Sequence, residues 1–264
     1  MTKTNQQKVK DFLINNGVII VMFILVIYTG FTSDNFFTKN NFMNILMNMS
    51  SRLVIALGIA GCVITAGCDL SAGRMIGFGA CISGMLLQRM DYSGKFFPDM
   101  QPLNVFVVAL IAMLVCAAFG TVTGFFIAYL NVPPFIATLA MMEIVYGIGL
   151  IVTNATPLGG YVEQYTNVSN GKFLGINYLI WIAIIVAAIT WFIFNMTRHG
   201  KYMYAIGGNP QAAEVAGVPV KATLILIYMK AAAMYGLAGF MLGAKAGGAS
   251  VNLGYGYEME AIAA

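Results

Sequence analysis

Charge is what this 264-residue sequence has least of. Asp, Glu, Lys and Arg together make up 9% of it, against roughly 25% in an ordinary soluble domain. Hydrophobic residues make up 59%. So little charge excludes the water-soluble classes and indicates a polytopic membrane protein, all-α, with the lipid bilayer as its solvent. The net charge of +4 is small and its basic residues are scattered, so there is no footprint for nucleic acid. Histidine occurs once and cysteine four times. Cys62, Cys68, Cys81 and Cys116 lie in apolar stretches without C-x-x-C spacing and read as buried free thiols. His199, beside Arg198, reads as an interfacial residue. No metal site, catalytic set or cofactor is implied, and without a G-x-x-x-x-G-K-[ST] motif the chain is not expected to hydrolyse ATP.

What is there is a series of apolar runs. Phe12–Ser33 is uncharged, about long enough to span, and lacks a small-residue cleavage site, so it reads as a retained first helix. Leu53–Cys68 and Met75–Gln88 fall short of the roughly 20 residues of a straight span and contain several glycines, which predicts broken or short helices around residues 53–88. Leu103–Leu130 follows, with Gly120 and Gly124 in a G-x-x-x-G pair that permits close helix packing. The Asn131–Pro134 turn, NVPP, ends it because the prolines cannot continue a helix. Further spans are Phe135–Thr153, Ile176–Met196 with Trp181 and Trp191 toward its ends, and Ala222–Ala244. Arg89–Met100, Asn154–Gly175 and Gly247–Glu260 read as polar connections. The positive-inside rule puts the tail Met1–Asp11, with Lys3, Lys8 and Lys10, in the cytoplasm. About seven crossings then leave the NVPP turn and Arg198–Lys221 on that side, within one transmembrane domain covering residues 1–264.

Arg198–Lys221 is the longest polar interruption between two spans. Asn209 is suited to cap a helix, Pro210 fits the first helical position, Gln211–Ala216 are mostly helix formers, Gly217 suits the left-handed stop and Pro219 blocks continuation. A two-turn helix on a membrane-surface loop is either a docking element for another protein or a simple closure of the loop. Double capping and the small residues Ala212, Ala213 and Ala216 favour docking.

YAIGGNPQAAEVAGVPV at Tyr204–Val220 resembles the cytoplasmic loop of bacterial sugar ABC-importer permeases of the ribose/galactoside type. ALGIAGCVITAGCDLSAGR at Ala56–Arg74, AYLNVPPFIATL at Ala128–Leu139 and LGYGYEMEAIAA at Leu253–Ala264 match in the same order. The resemblance covers essentially the whole chain. It implies an inner-membrane, multi-pass permease domain in a homodimer that receives a monosaccharide from a periplasmic binding protein. Cytoplasmic ATPase subunits would grip a coupling helix in residues 198–221, at Gly208, Asn209, Pro210, Gln211, Ala212, Ala213, Glu214, Ala216 and Gly217. Members of that family continue for roughly three more spans, so the chain looks truncated at its C-terminus.

Glu143 and Lys230 fall within spans, where the family pattern is uncharged. Burying a charge there costs a few kcal/mol or more, about the same depth in each helix suggests that they pair, and the alternative is independent placement with Lys230 reaching the interface. In TAGCDLSAGR, Asp69 and Ser71, with Thr65, either face a substrate pathway or serve locally, Asp69 capping the next helix and pairing with Arg74. Asn131, also a pathway candidate, reads rather as a turn former. The rival function is a secondary transporter with Glu143 or Asp69 coupling an ion.

Overall fold

The computed structural model describes residues 13, 14 and 16–263, so the tail Met1–Asp11 with Lys3, Lys8 and Lys10 lies outside the described residues. The chain divides into two compact units, Met1–Leu46 and Met47–Ala264. In the first, helix α1 (Gly17–Thr32) is apolar throughout and has no buried residue. A turn follows, held by Asn41 Nδ2 donating to the Phe36 carbonyl at 2.8 Å, and α2 (Lys39–Ile64) begins there.

The second unit holds the rest of α2, then α3 (Ala72–Leu86), α4 (Val105–Leu130), α5 (Pro134–Thr153), α6 (Glu163–Asn170), a hairpin of β1 (Lys172–Phe173) and β2 (Ile176–Asn177), α7 (Tyr178–Met196), α8 (Arg198–Gly208), α9 (Pro210–Val215), α10 (Val220–Ala246) and α11 (Tyr257–Ala263). Among the described residues five helices are long and apolar enough to cross a membrane: α2, α4, α5, α7 and α10; α1 and α3 are shorter apolar helices. α2 differs from the expectation for Leu53–Cys68. Its apolar run is the second part of a 26-residue helix that starts in the polar stretch at Lys39. Arg52 therefore lies inside a helix and pairs with Glu260 at 3.3 Å. The expected break does fall between α2 and α3, at residues 65–71, and α3 is short at 15 residues, about 22 Å.

α10 is the centre of the packing. Lipid supplies no hydrophobic drive between helices, so close association depends on small residues that let backbones approach. α10 carries them from its middle onward: Ala231, Ala232, Gly236, Ala238, Gly239, Gly243 and Ala244 are all buried. On its α4 side, a Cβ on Gly120 would stand 2.4 Å from the Tyr228 carbonyl and one on Gly236 would stand 2.5 Å from the Ala112 carbonyl. On its α3 side, a Cβ on Gly239 would stand 2.2 Å from the Ile76 carbonyl. The helix is thus wedged between α3 and α4 at backbone distance.

The connections gather at two ends. At one, the Lys221 ammonium lies 5.2 Å over the Tyr129 ring, Gly67 faces Pro134, and a Cβ on Gly207 would strike the Ile64 carbonyl at 1.9 Å. The NVPP turn, the end of α2, α8 and the start of α10 therefore share that end. Asn131 closes α4 there in the left-handed region, at φ 52°, as a turn former should. At the other end, Asn154–Gly175 is more ordered than a polar connection. Leu158 and Ala249 exchange backbone hydrogen bonds at 2.8 and 2.9 Å, Val162 N–H donates to the Leu87 carbonyl at 2.9 Å, and the buried Tyr165 hydroxyl donates to the Phe240 carbonyl at 2.7 Å. This segment clamps the ends of α3 and α10.

Candidate functional site

Two places carry the candidate residues. The first is the segment from Thr197 to Thr223. The Thr197 hydroxyl accepts from Gly200 N–H at 3.3 Å and starts α8. α8 presents Gly200, Met203 and Ile206 to the interior, a spacing of three along one face. The chain then turns at Asn209, whose Oδ1 accepts from Ala212 N–H at 2.9 Å and caps α9. Pro210 occupies the first turn. Gly217, at φ +83°, ends it, with Val218 N–H returning to the Ala213 carbonyl at 3.0 Å, which is the expected glycine stop. Gly208, Asn209, Pro210, Gln211, Ala212, Glu214, Ala216 and Gly217 are exposed and Ala213 is buried. Val215 was not among the residues expected to matter, yet it is 91% exposed. Its only sequence signal was an aliphatic side chain in a polar, capped helix. Through Gly207 the segment rests on the last carbonyl of α2, next to Thr65.

The second place is Thr65–Arg74. Thr65 Oγ1 donates back to the Gly61 and Cys62 carbonyls at 3.2 and 3.0 Å, so its hydroxyl is engaged within its own helix. Asp69 and Ser71 are 1% and 0% exposed. Asp69 Oδ1 accepts from Ser71 N–H at 3.0 Å and from Ser71 Oγ at 2.6 Å, a local turn that leads into α3. The Tyr235 hydroxyl lies beside that carboxylate without reaching hydrogen-bond geometry. Tyr228 reaches the Cys68 carbonyl at 3.4 Å. The pair is thus built into the packed interior, but Asp69 does not cap α3, whose N-cap position is Ser71 with no side-chain cap bond. The expected Asp69–Arg74 pairing does not occur. Arg74 donates instead to Asn252 Oδ1, and its guanidinium lies 3.9 Å from the Tyr146 ring centre and 4.4 Å from that of Tyr255. Asn131 is exposed at its turn, away from this cluster's hydrogen bonds.

The intramembrane charges are also corrected. Among the described residues no ion pair joins Glu143 to Lys230; the recorded pairs are Arg52–Glu260 and Arg89–Asp91. Equal depth along two helices does not bring two side chains to the same face. Glu143 is exposed on α5. Lys230 lines a small cleft with His199, Thr190, Phe194 and residues of α2. The His199 Nε2 is buried there without a partner. Burial, and then the Lys230 charge, hold the His199 pKa down at about 4. The four cysteines are free, and Cys62, Cys81 and Cys116 are buried. Among the described residues no cluster could hold a metal ion.

A family model described as branched-chain amino acid transport system / permease component matches residues 41–264. The galactose/methyl galactoside import permease proteins of Escherichia coli (strain K12) and Haemophilus influenzae are 39% and 41% identical to the chain, over 100% of it and 81% of each relative. The ribose import permease protein of Escherichia coli (strain K12) is 32% identical, over 97% of the chain and 77% of the relative. No solved structure matches. Matched along its whole length by import permeases, and by the family model from residue 41 onward, the chain belongs to the permease-component family of ATP-binding-cassette importers.

Proposed function

We propose that this chain is the membrane subunit through which a binding-protein-dependent importer passes a monosaccharide, galactoside-like or ribose-like, into the cytoplasm. In this family ATP hydrolysis belongs to a partner subunit, so the chain is not itself an enzyme. Galactose, methyl galactoside and ribose are the substrates that the relatives' names give. The N-terminus and α9 lie in the cytoplasm, a periplasmic binding protein delivers the sugar to the opposite end, and a second copy of the chain completes the pathway in the inner membrane.

The observation that carries this reading is α9: a helix stopped at both ends, with one buried residue and a valine 91% exposed. A fixed, largely bare helix gains little for the fold and suits a groove on the ATPase. Val215 supplies the apolar contact at its tip. ATP-driven closure of the partners would press on α9. The brace between Gly207 and the Ile64 carbonyl would pass that motion to the α2 end, and so to the segment 65–74.

Co-purification with the cognate ATPase in detergent tests the docking role. The wild-type chain should retain the ATPase. Val215→Asp should lose it without changing the melting temperature of the permease, because this side chain touches almost nothing in the chain. Ala213→Pro, which removes the Ala213 N–H bond to the Asn209 carbonyl, should lose it too. Retention of the ATPase by both variants would show that α9 is not the docking element.

A further inference from the structure

We infer that Arg74, Tyr146, Asn252 and Tyr255 form a station for the transported sugar halfway through the membrane, with the guanidinium edge donating to two neighbouring hydroxyls of a neutral monosaccharide. This rests on the sugar-import reading above and adds a place and a chemistry to it.

Depth comes from two independent rulers. Tyr146 is twelve residues past Pro134 on α5, about 18 Å along the axis. Tyr235, beside Asp69, is fifteen residues past Val220 on α10, about 22 Å along. In a hydrocarbon core of about 30 Å both mark the middle region. α3 therefore begins near mid-depth and runs to one end only, where Leu87 and Gln88 meet Tyr161 and Val162. The stretch after α10 returns to the same depth. Gly254 packs on the Gly73 carbonyl, where a Cβ would stand at 2.6 Å, and a Cβ on Gly77 would meet the Val251 carbonyl at 2.4 Å. Two half-crossing segments thus meet where Arg74 stands. Irregular backbone at such depth is tolerated where it lines a cavity.

The cluster offers a neutral polyol a fork of N–H donors, an amide and aromatic faces. Among the described residues no carboxylate pairs with Arg74. Its guanidinium instead lies over two tyrosine rings, Tyr146 and Tyr255, a favourable arrangement when desolvated. The N–H donors along its edge are what a ligand would engage. Asn252 takes one N–H, and the buried Nε–H has no acceptor. A planar fork of N–H donors matches a pair of adjacent sugar hydroxyls as it matches a carboxylate. Tyr255 is 61% exposed, which leaves its outer face for the C–H side of a sugar ring. Asn252 is exposed beside it and offers both a donor and an acceptor.

The test uses the assembled complex in proteoliposomes with its ATPase and a loaded binding protein, and reads labelled galactose and ribose uptake together with ATP hydrolysis. Tyr255→Leu, at an exposed site, and Arg74→Lys should each lower the maximal uptake rate about tenfold. The KM, set by the binding protein, and the stimulated ATPase rate should stay within about twofold. If the wild-type complex imports sugar and Tyr255→Leu imports it at the wild-type rate, the station is wrong while the importer reading stands. If Arg74→Lys loses ATP hydrolysis along with uptake and Tyr255→Leu loses neither, Arg74 is structural and the inference fails. If the wild-type complex hydrolyses ATP but takes up neither sugar, the sugar reading and the station both fall.

Discussion

His199 shows how a single residue acquires a property that its neighbours in sequence do not announce. Beside Arg198 it reads as an interfacial side chain. In the fold it turns into the cleft between α2, α7 and α10, near Lys230. Burial and that like charge hold its pKa at about 4, against about 6.5 in an unfolded chain. The neutral ring is therefore favoured by folding. Its contribution to stability is complete above pH 6.5 and is lost as pH falls through 4. The melting temperature in detergent should drop over that window, and His199→Asn should flatten the drop. An unchanged pH profile in the variant would mean that other groups cause the acid loss. Val215 and Arg74 belong to the same scale. Each side chain takes its role from what surrounds it: nothing for Val215, two rings and an amide for Arg74.

At the scale of elements, α10 and its neighbours are joined by backbone proximity. The G-x-x-x-G pair Gly120 and Gly124 was legible as a packing motif. Its partner was not, because the motif specifies a smooth face and says nothing about which helix meets it. The structure pairs it with Tyr228, Ala232 and Ile225 of α10. Gly120→Val would set a branched side chain where a Cβ alone stands 2.4 Å from a carbonyl. Forcing the helices apart should cost about 2 kcal/mol or more. A thermal melt of the purified permease should register the loss, whereas Val122→Ala on the exposed side of α4 should leave it unchanged. Equal melts for the two variants would show that close packing at Gly120 is not limiting. The segment Asn154–Gly175 teaches the same lesson from the opposite direction. Its Gly, Asn and Thr content marked a loop, yet its buried Tyr165 and its bridge to Ala249 make it a clamp.

For the whole molecule, the alternation of the chain across the membrane is the property to measure. The NVPP turn and the segment with α8 and α9 share one end, and residues 88, 158–165 and 249 share the other. The proposed cytoplasmic end is the one that carries the basic residues Arg198, Lys201 and Lys221. In a cysteine-free background, Val215→Cys should react with a membrane-impermeant thiol reagent only when the cytoplasmic face is opened. Leu174→Cys, 79% exposed on the hairpin, should react from outside intact cells. Labelling of both from the same side would break the alternation, and labelling with the sides exchanged would invert the proposed orientation.

The features readable in the chain alone were those written in short, contiguous runs. The membrane class followed from composition, the long spans from uninterrupted apolar stretches, and α9 from a cap, a proline and a stop glycine within nine residues. These are local because the physics that makes them is local: backbone conformation, first-turn hydrogen bonds and transfer into lipid. The fold decided where separated segments meet. Arg74 finds Asn252 across a separation of 178 residues, Tyr165 finds Phe240 across 75, and Glu143 and Lys230, level in depth, do not pair because side-chain direction around a helix depends on what the helix packs against. Asp69 and Ser71 were picked out by sequence as polar residues in an apolar setting. In the fold both are buried, and Arg74 lies over the two tyrosines.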